Sequence, residues 1–213
     1  MTALAPHVTA LVAAILPSLT SVAVAAPVLR GTVFEVVDGD SLRVQLPSGP
    51  IEVRLHAADT PEYDQPGGRE AKRVLRKRLP RGAEVALEPG EQDRYERMVA
   101  VVHVGDVVIN EWLVREGHAW AYRRYVDDPV YCRLEDEASR ARRGLWKRPP
   151  SQWVAPWDWR HRQRDPSFRT PDRTHETLAT CLAAMPQRRD ARIGSHSPRN
   201  PVESAAAQAL RAR

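Results

Sequence analysis

Three short alternating segments, separated by turns, constrain the fold of this chain most. Residues 31–37 (GTVFEVV), 41–46 (SLRVQL) and 51–57 (IEVRLHA) alternate apolar and polar side chains, which is the pattern of half-buried strands. Asp38-Gly39 and residues 47–50 (PSGP) supply the turns between them. A small antiparallel sheet must close or be covered to protect its edges, so we expect a barrel.

The other predicted elements make this an α+β chain. Strands are predicted over 83–87 and 98–104, and helices over 70–79, over 110–116 and from Asp128 to about Arg143. Asp128 followed by Pro129 is typical of a helix start. The basic helix at 70–79 could contact phosphates or simply be solvated. The tryptophans at 146 and 153–159 predict an apolar surface that covers the barrel, with base stacking as the alternative.

Charged residues concentrate where the predicted strands end. Arg54 lies on the polar face of the third strand, and Asp59 and Glu62 follow it within the run DTPE. The turn between the first two strands is DGD, and a third charged segment, DRYER at 93–97, precedes the strand at 98. A guanidinium with two carboxylates can hold a divalent cation and a phosphate together. For each segment alone, an ordinary polar turn is the alternative.

In this order the motifs DGD, RLxxxDTPE and DRYxR resemble those of the staphylococcal nuclease (thermonuclease) family, over roughly residues 31–160. The resemblance implies a five-stranded β-barrel of the OB type with three helices. It implies Ca²⁺-dependent hydrolysis of phosphodiester bonds in DNA and RNA, with little sequence specificity and 3′-phosphate ends. Single-stranded nucleic acid would be preferred, and the chain would act as a monomer.

The resemblance also implies a metal site. Asp40 and Asp59 would ligate Ca²⁺ through their carboxylates, and Thr60 through its backbone carbonyl, because Ca²⁺ prefers hard oxygen donors. Asp38 would lie beside this site in a supporting or structural position. Ser41 replaces the threonine that is usual after DGD and keeps a hydroxyl.

The remaining site residues would act on the substrate. Arg54 and Arg97 match the two catalytic arginines of the family, whose forked guanidinium groups fit a phosphate. Glu62 matches the glutamate usually assigned as the general base, although orienting water or the loop is a rival role. The alternatives are an ion pair of Arg54 with Glu52 or another acid, a solvated loop at Arg97 and a simple turn carboxylate at Glu62. The residues expected to contact the substrate are Arg94, Tyr95, Tyr122 and Tyr125.

Glu96 is the main departure from the family pattern, which has glycine before the second arginine. It adds bulk and negative charge near Arg97, and it could force a different loop conformation. We expect an effect on rate or affinity rather than on the class of reaction.

The two ends of the chain differ from its centre. Residues 1–25 predict a signal peptide, because 2–29 carry no Lys, Arg, Asp or Glu and Ala23-Val24-Ala25 forms a small-x-small cleavage site. Cleavage would leave a nuclease domain at 26–160, exported to the periplasm or outside the cell and without stable membrane association. The alternative is an uncleaved membrane anchor, although the apolar run is short for a span and Pro17 interrupts it. Residues 161–213 predict a basic, mostly disordered tail. Cys132 and Cys181 could pair in an exported protein or remain separate thiols.

The leading hypothesis is therefore an exported Ca²⁺-dependent nuclease. The net charge of +5 suits a polyanionic partner but does not prove one. The alternative is a non-catalytic nucleic-acid-binding barrel of the same family. A pure binding module has no reason to keep an acidic metal site, which repels phosphate unless a cation is bound.

Overall fold

The computed structural model describes residues 28–174, 176 and 178–186. The predicted signal peptide at 1–25 and the last part of the predicted tail, 187–213, lie outside the described residues. Across the described ranges, no helix has both the length and the apolar character needed to cross a membrane.

A closed barrel forms the centre of the molecule. Its main sheet has the strand order β3-β2-β1-β5-β6-β7, and an additional parallel pairing of β3 with β6 closes it. The predicted five-stranded OB-type barrel of an α+β protein is therefore confirmed. The strands are β1 (Leu29–Val36), β2 (Ser41–Leu46), β3 (Gly49–Leu55), β4 (Ala58–Asp59), β5 (Glu84–Gln92), β6 (Met98–Val104), β7 (Val107–Val108) and β8 (Trp120–Ala121).

Alternation along the strands fills the barrel, as the sequence predicts. In β2 the side chains of Leu42, Val44 and Leu46 are buried, whereas Arg43 faces outward and pairs with two exposed acids. β2 and β6 have the predicted bounds. β5 runs on to Gln92 because its pairing with β6 shifts register after Pro89, which lets the strand accommodate a proline.

The predicted helices form with small shifts at their ends. They are α1 (Gly68–Arg78), α2 (Ile109–Arg115) and α3 (Pro129–Arg140). α1 buries Ala71 and Leu75 against the barrel, and the Asp128 carboxylate accepts the Val130 backbone N–H at 2.8 Å to cap α3. Within the described part of the chain, two further α-helices, α4 (Pro156–Arg164) and α5 (Leu178–Ala183), lie where the sequence predicts none.

The tryptophans build a second apolar cluster beside the barrel. Trp146 is buried with Trp120, and the two rings meet edge to face with centroids 4.6 Å apart. Ala138 of α3 and Ala155 complete this cluster, with Trp153 and Trp157 packed around it. The cluster supports the start of α4.

Part of the segment predicted as a disordered tail packs on the domain. The Arg173 side chain donates to the Asp158 carboxylate of α4 at 2.5 Å, and a disulfide joins Cys181 of α5 to Cys132 of α3. The sequence left open whether Cys132 and Cys181 pair, and the structure joins them in a disulfide. These long-range ties hold residues of low apolar content in place, and composition does not reveal them.

Candidate active site

The predicted site residues converge at one end of the barrel. Arg54 of β3 pairs with Ser41 of β2 on one side and with Val99 of β6 on the other. Arg97 comes directly before β6 and therefore lies at the same end. The DGD turn and the DTPE loop complete this end, as the following contacts describe.

Arg54 forms ion pairs with two of the predicted metal ligands. Its guanidinium donates to the Asp40 carboxylate and, at 2.6 Å, to Asp59 Oδ1. It does not pair with Glu52, which instead accepts from Arg43 at 3.0 Å. Burial lowers the pKa of Arg54, but the charges of Asp40 and Asp59 outweigh burial and raise it overall, so the group stays cationic.

The DGD turn orients Asp40. The Asp38 carboxylate accepts the Asp40 backbone N–H at 3.1 Å, and Asp40 Oδ2 accepts the Thr60 backbone N–H at 2.8 Å. Gly39 allows this approach, because a Cβ at that position would overlap Thr60 Oγ1. The turn and the DTPE loop are therefore held together through Asp40, whose backbone Asp38 binds.

Asp59 is fully buried and is positioned by a short two-stranded ladder. β4 pairs antiparallel with β8, which places Asp59 opposite Trp120. Between β3 and β4 the chain bends sharply at Ala57, whose φ of 57° lies in the left-handed region. Such strained residues cluster at functional sites. Here the bend brings Asp59 within reach of Arg54.

Arg97 reaches the same site through Ser41. Its Nη1 donates to Ser41 Oγ at 3.1 Å, and its Nε donates to the Asp93 carboxylate at 2.8 Å. The Ser41 hydroxyl lies next to Asp40 in the chain and is buried. Arg97 is therefore held in place rather than being a solvated loop residue.

Glu62 lies at the edge of the site on a loop that Gln65 anchors. The buried Gln65 side chain accepts the Glu62 backbone N–H at 3.1 Å and donates to the Val154 carbonyl at 2.7 Å. The Glu62 side chain is 38% exposed, so water can reach it. The sequence analysis did not identify Gln65, because nothing local marks its contact with a residue 89 positions away.

Arg160 of α4 is a further residue that sequence reasoning missed as part of the site. Its Nη1 donates to Glu62 Oε1 at 2.7 Å and to Asp59 Oδ1 at 3.1 Å, and its Nη2 donates to Asp59 Oδ2 at 2.8 Å. Arg160 is one of several cations near a Trp-rich segment, and the sequence contains no signal that distinguishes it. Only the folded chain brings it to carboxylates about a hundred residues earlier.

Negative charge dominates the donor set. Burial raises the pKa of Asp40, Arg54 opposes this effect, and the neighbouring Asp38 and Asp59 carboxylates add to it. Among the described residues, no three His, Cys, Asp or Glu side chains are arranged as a ready metal site. The buried carboxylates of Asp40 and Asp59 and the backbone carbonyl of the buried Thr60 are nonetheless the kind of hard oxygens that a cation such as Ca²⁺ accepts.

The predicted substrate contacts lie in two groups around these charges. Tyr95 is 62% exposed, and the guanidinium of Arg94 lies 4.8 Å from its ring centroid. Tyr122 stacks on Trp157 with centroids 5.5 Å apart, and Tyr125 packs edge to face against Tyr122 at 5.0 Å. Tyr95 and Tyr125 thus present free aromatic surface, whereas one face of Tyr122 is covered by protein.

Comparison with known proteins agrees with this architecture. Residues 52–148 match the sequence model of the family described as staphylococcal nuclease homologue. A protein from Escherichia coli O157:H7 named "Uncharacterized endonuclease" is 38% identical over 136 residues, which cover 63% of this chain and 87% of that protein. "Micrococcal nuclease" from Shigella flexneri is 38% identical over 148 residues, covering 64% of this chain and 83% of the relative. On this evidence, this chain belongs to the staphylococcal nuclease homologue family.

Proposed function

We propose that this chain is an exported, Ca²⁺-dependent nuclease that hydrolyses DNA and RNA with little sequence specificity and leaves 3′-phosphate ends. Family membership supports the nuclease activity and nucleic acids as substrates. The observation that carries the proposal is the convergence of Asp40, Arg54, Asp59 and Glu62 at one barrel end, with Arg97 joined to them through Ser41.

The carboxylates of Asp40 and Asp59 and the carbonyl of Thr60 would hold Ca²⁺. When bound, Ca²⁺ would polarise the phosphodiester and offset its negative charge. The Arg54 and Arg97 guanidinium groups would bind the non-bridging oxygens, where charge grows in the transition state, and so would favour that state over the ground state. Arg54 must exchange at least one of its carboxylate partners for the phosphate in this step.

Glu62 would accept a proton from the attacking water. Its exposure allows water to approach, and the Gln65 anchor fixes the loop that carries it. Positioning matters more than basicity here, because a carboxylate is a weak base. Arg94 with Tyr95 would bind a phosphate next to the scissile one, and the exposed face of Tyr125 would stack on a base beside Tyr122. Stacking accepts any base, which is consistent with low sequence specificity.

The decisive experiment compares cleavage of single-stranded DNA by the chain from Ala26 onwards with Ca²⁺ and with chelator, beside the variants Glu62→Ser and Arg97→Ala. We expect cleavage to need the metal, and kcat to fall by about 10²–10⁴ for the lost base and by a comparable factor for the lost guanidinium. Glu52→Ser is the matched control, since Glu52 is an exposed β3 carboxylate that pairs with the exposed Arg43 and not with Arg54. Mass spectra of the products should contain fragments with a 3′-phosphate.

The same assay distinguishes a nuclease from a protein that binds nucleic acid without cleaving it. Retained, salt-sensitive binding of DNA with no cleavage in Ca²⁺ would assign the chain as a non-catalytic binding module. N-terminal sequencing of protein recovered outside the cytoplasm should begin at Ala26, and a start at Met1 would contradict export by cleavage. Sedimentation of the purified chain tests the proposed monomer.

A further inference from the structure

Arg160 engages both oxygens of a carboxylate on which the proposed cation depends. The bidentate contact with Asp59 has N–O distances of 3.1 and 2.8 Å, and the same guanidinium holds Glu62 at 2.7 Å. Asp59 Oδ1 also accepts from Arg54 at 2.6 Å. Each oxygen of Asp59 is thus already bound by a guanidinium group.

The helix that carries Arg160 is held in place by contacts of its own. Trp157 stacks on Tyr122 at an interplanar angle of 13°, and the buried Asp158 accepts from Arg173. These two contacts are made by other side chains of α4 and fix its backbone, while the Arg160 guanidinium itself lies 5.8 Å from the Tyr122 ring centroid. The guanidinium can therefore leave the carboxylates without displacing the helix.

Of the two arginines that bind the Asp59 carboxylate, Arg160 is the one better placed to release it. Arg54 rises from a barrel strand, bridges Asp40 and Asp59, and has a side chain that is 17% exposed. Arg160 reaches in from the periphery and is 24% exposed. Ca²⁺ binds carboxylate oxygens at about 2.3–2.6 Å, so it would lie within a few ångströms of this guanidinium, and the two like charges repel.

We propose that Arg160 is a positioning residue of the active site that competes with the cation for Asp59. It holds Asp59 and Glu62 together before the cation binds, and it releases Asp59 when the cation arrives. This inference rests on the proposed Ca²⁺ dependence. Its consequence is that Arg160 raises the Ca²⁺ concentration at which the enzyme becomes active.

The test is calorimetric titration of the full chain with CaCl₂, for the wild type and for Arg160→Gln, Arg160→Lys and Arg162→Gln. Arg160→Gln should bind Ca²⁺ roughly tenfold more tightly, a difference of about 1.4 kcal/mol. Arg160→Lys should be intermediate, because it keeps the charge without the bidentate fork. Arg162→Gln is the matched control: it removes the same charge from the same helix, but Arg162 is exposed and contacts Trp159.

Two further readouts follow from the same competition. The Ca²⁺ concentration that gives half-maximal cleavage should fall in Arg160→Gln in parallel with the calorimetric Kd. In chelator Arg160→Gln should unfold at a lower temperature than Arg162→Gln, because buried Asp59 loses a counter-charge. Added Ca²⁺ should then raise the Tm of Arg160→Gln by more than that of the wild type.

The outcomes are distinguishable. If the wild type binds Ca²⁺ and Arg160→Gln binds it no more tightly, or more weakly, the competition is overturned while the proposed function stands. An equal gain in Ca²⁺ affinity in Arg162→Gln would also overturn the competition, since the effect would then come from the lower positive charge of the helix and not from the contact with Asp59. If neither the wild type nor Arg160→Gln binds Ca²⁺, the calcium dependence fails and this inference fails with it.

Discussion

Asp40 is surrounded by charges of both signs, and its contacts explain why the site needs arginines before any substrate arrives. Burial, together with the carboxylates of Asp38 and Asp59, raises its pKa, while Arg54 opposes the shift. The DGD turn and the DTPE loop together carry four carboxylates, which would otherwise repel one another: Asp38, Asp40, Asp59 and Glu62. Arg54 and Arg160 therefore balance this negative charge in the absence of a cation.

Glu96 occupies a backbone conformation that suits glycine. Its φ of 63° lies in the left-handed region, which costs a residue with a Cβ about 1–2 kcal/mol. We predict that Glu96→Gly stabilises the folded protein by about 0.5–1 kcal/mol, after allowing for the greater freedom of glycine in the unfolded chain. Urea denaturation measures this difference in the free energy of unfolding.

The variant Glu96→Ala separates strain from charge. It removes the carboxylate near Arg97 but keeps the Cβ, so it should not gain the stability of Glu96→Gly. Equal stability of the two variants would contradict the role of the backbone conformation. If both cleave DNA faster than the wild type, the negative charge of Glu96 is what slows the reaction.

The individual residues of the site differ in how far the sequence predicts them. Arg54 and Asp59 belong to one short motif, whose spacing places a guanidinium near a carboxylate, whereas Asp40 was linked to them only through the family resemblance. Arg97 reaches the site through the parallel pairing of β3 and β6, which the sequence did not predict, and only the family resemblance linked this arginine to the site. Gln65 and Arg160 act on partners 89 and about 100 positions away, where no local pattern links donor and acceptor.

Among the elements, the strands were the most predictable, because each has one buried and one exposed face. β2 and β6 alternate cleanly and have the predicted bounds. The predicted strand ends at residue 87, because Pro89 and Gly90 are turn signals. In the structure β5 continues to Gln92, with a register shift in its pairing with β6 after Pro89. α4 was missed because its Trp, Asp and Arg residues lack the periodicity of an amphipathic helix.

The junction between the Glu62 loop and α1 depends on close packing at Gly68. A Cβ at this position would overlap the Glu62 carbonyl oxygen, so the loop backbone would have to shift. We predict that Gly68→Ala costs about 1–3 kcal/mol of stability and lowers kcat by roughly ten- to a hundredfold through misplacement of Glu62. Thermal unfolding and steady-state cleavage measure the two effects.

Gly105→Ala provides the comparison for this variant. Gly105 has a φ of 56° and nothing near its Cβ position, so the substitution should cost stability without changing kcat. Unchanged kcat in Gly68→Ala would mean that the loop absorbs the shift and that Glu62 does not depend on this packing.

The barrel and the described residues that follow Arg160, as far as residue 186, form one connected body. Arg123 pairs with both Glu135 of α3 and Glu176, Arg173 pairs with Asp158, and the disulfide anchors α5 to α3. These ties stabilise α4 and hence the position of Arg160. The basic, polar composition of this segment predicted disorder because it contains few apolar residues, but ion pairs and a covalent bond anchor it instead.

The disulfide should contribute a large part of the stability. It joins residues 49 positions apart, and closing a loop of that length in the unfolded chain is worth about 4 kcal/mol in the chain-entropy account. We predict that the double variant Cys132→Ser/Cys181→Ser loses stability of this order in guanidinium denaturation. It should also be cut by protease in the segment 165–186 sooner than the wild type. Equal protease resistance would show that the ion pairs suffice.

The parallel pairing of β3 with β6 has a kinetic consequence. Ser41 and Arg97 are 56 positions apart, whereas β1, β2 and β3 join through tight turns. Long-range closure is slower than local hairpin formation, because the chain loses more entropy before the contact forms. Arg54 and Arg97, the two arginines proposed to bind phosphate, therefore come together late in folding, and a half-folded chain would lack the proposed active site. If the chain is exported, as proposed above, and crosses the membrane before it folds, this order of events would spare the nucleic acids of the cell that makes it.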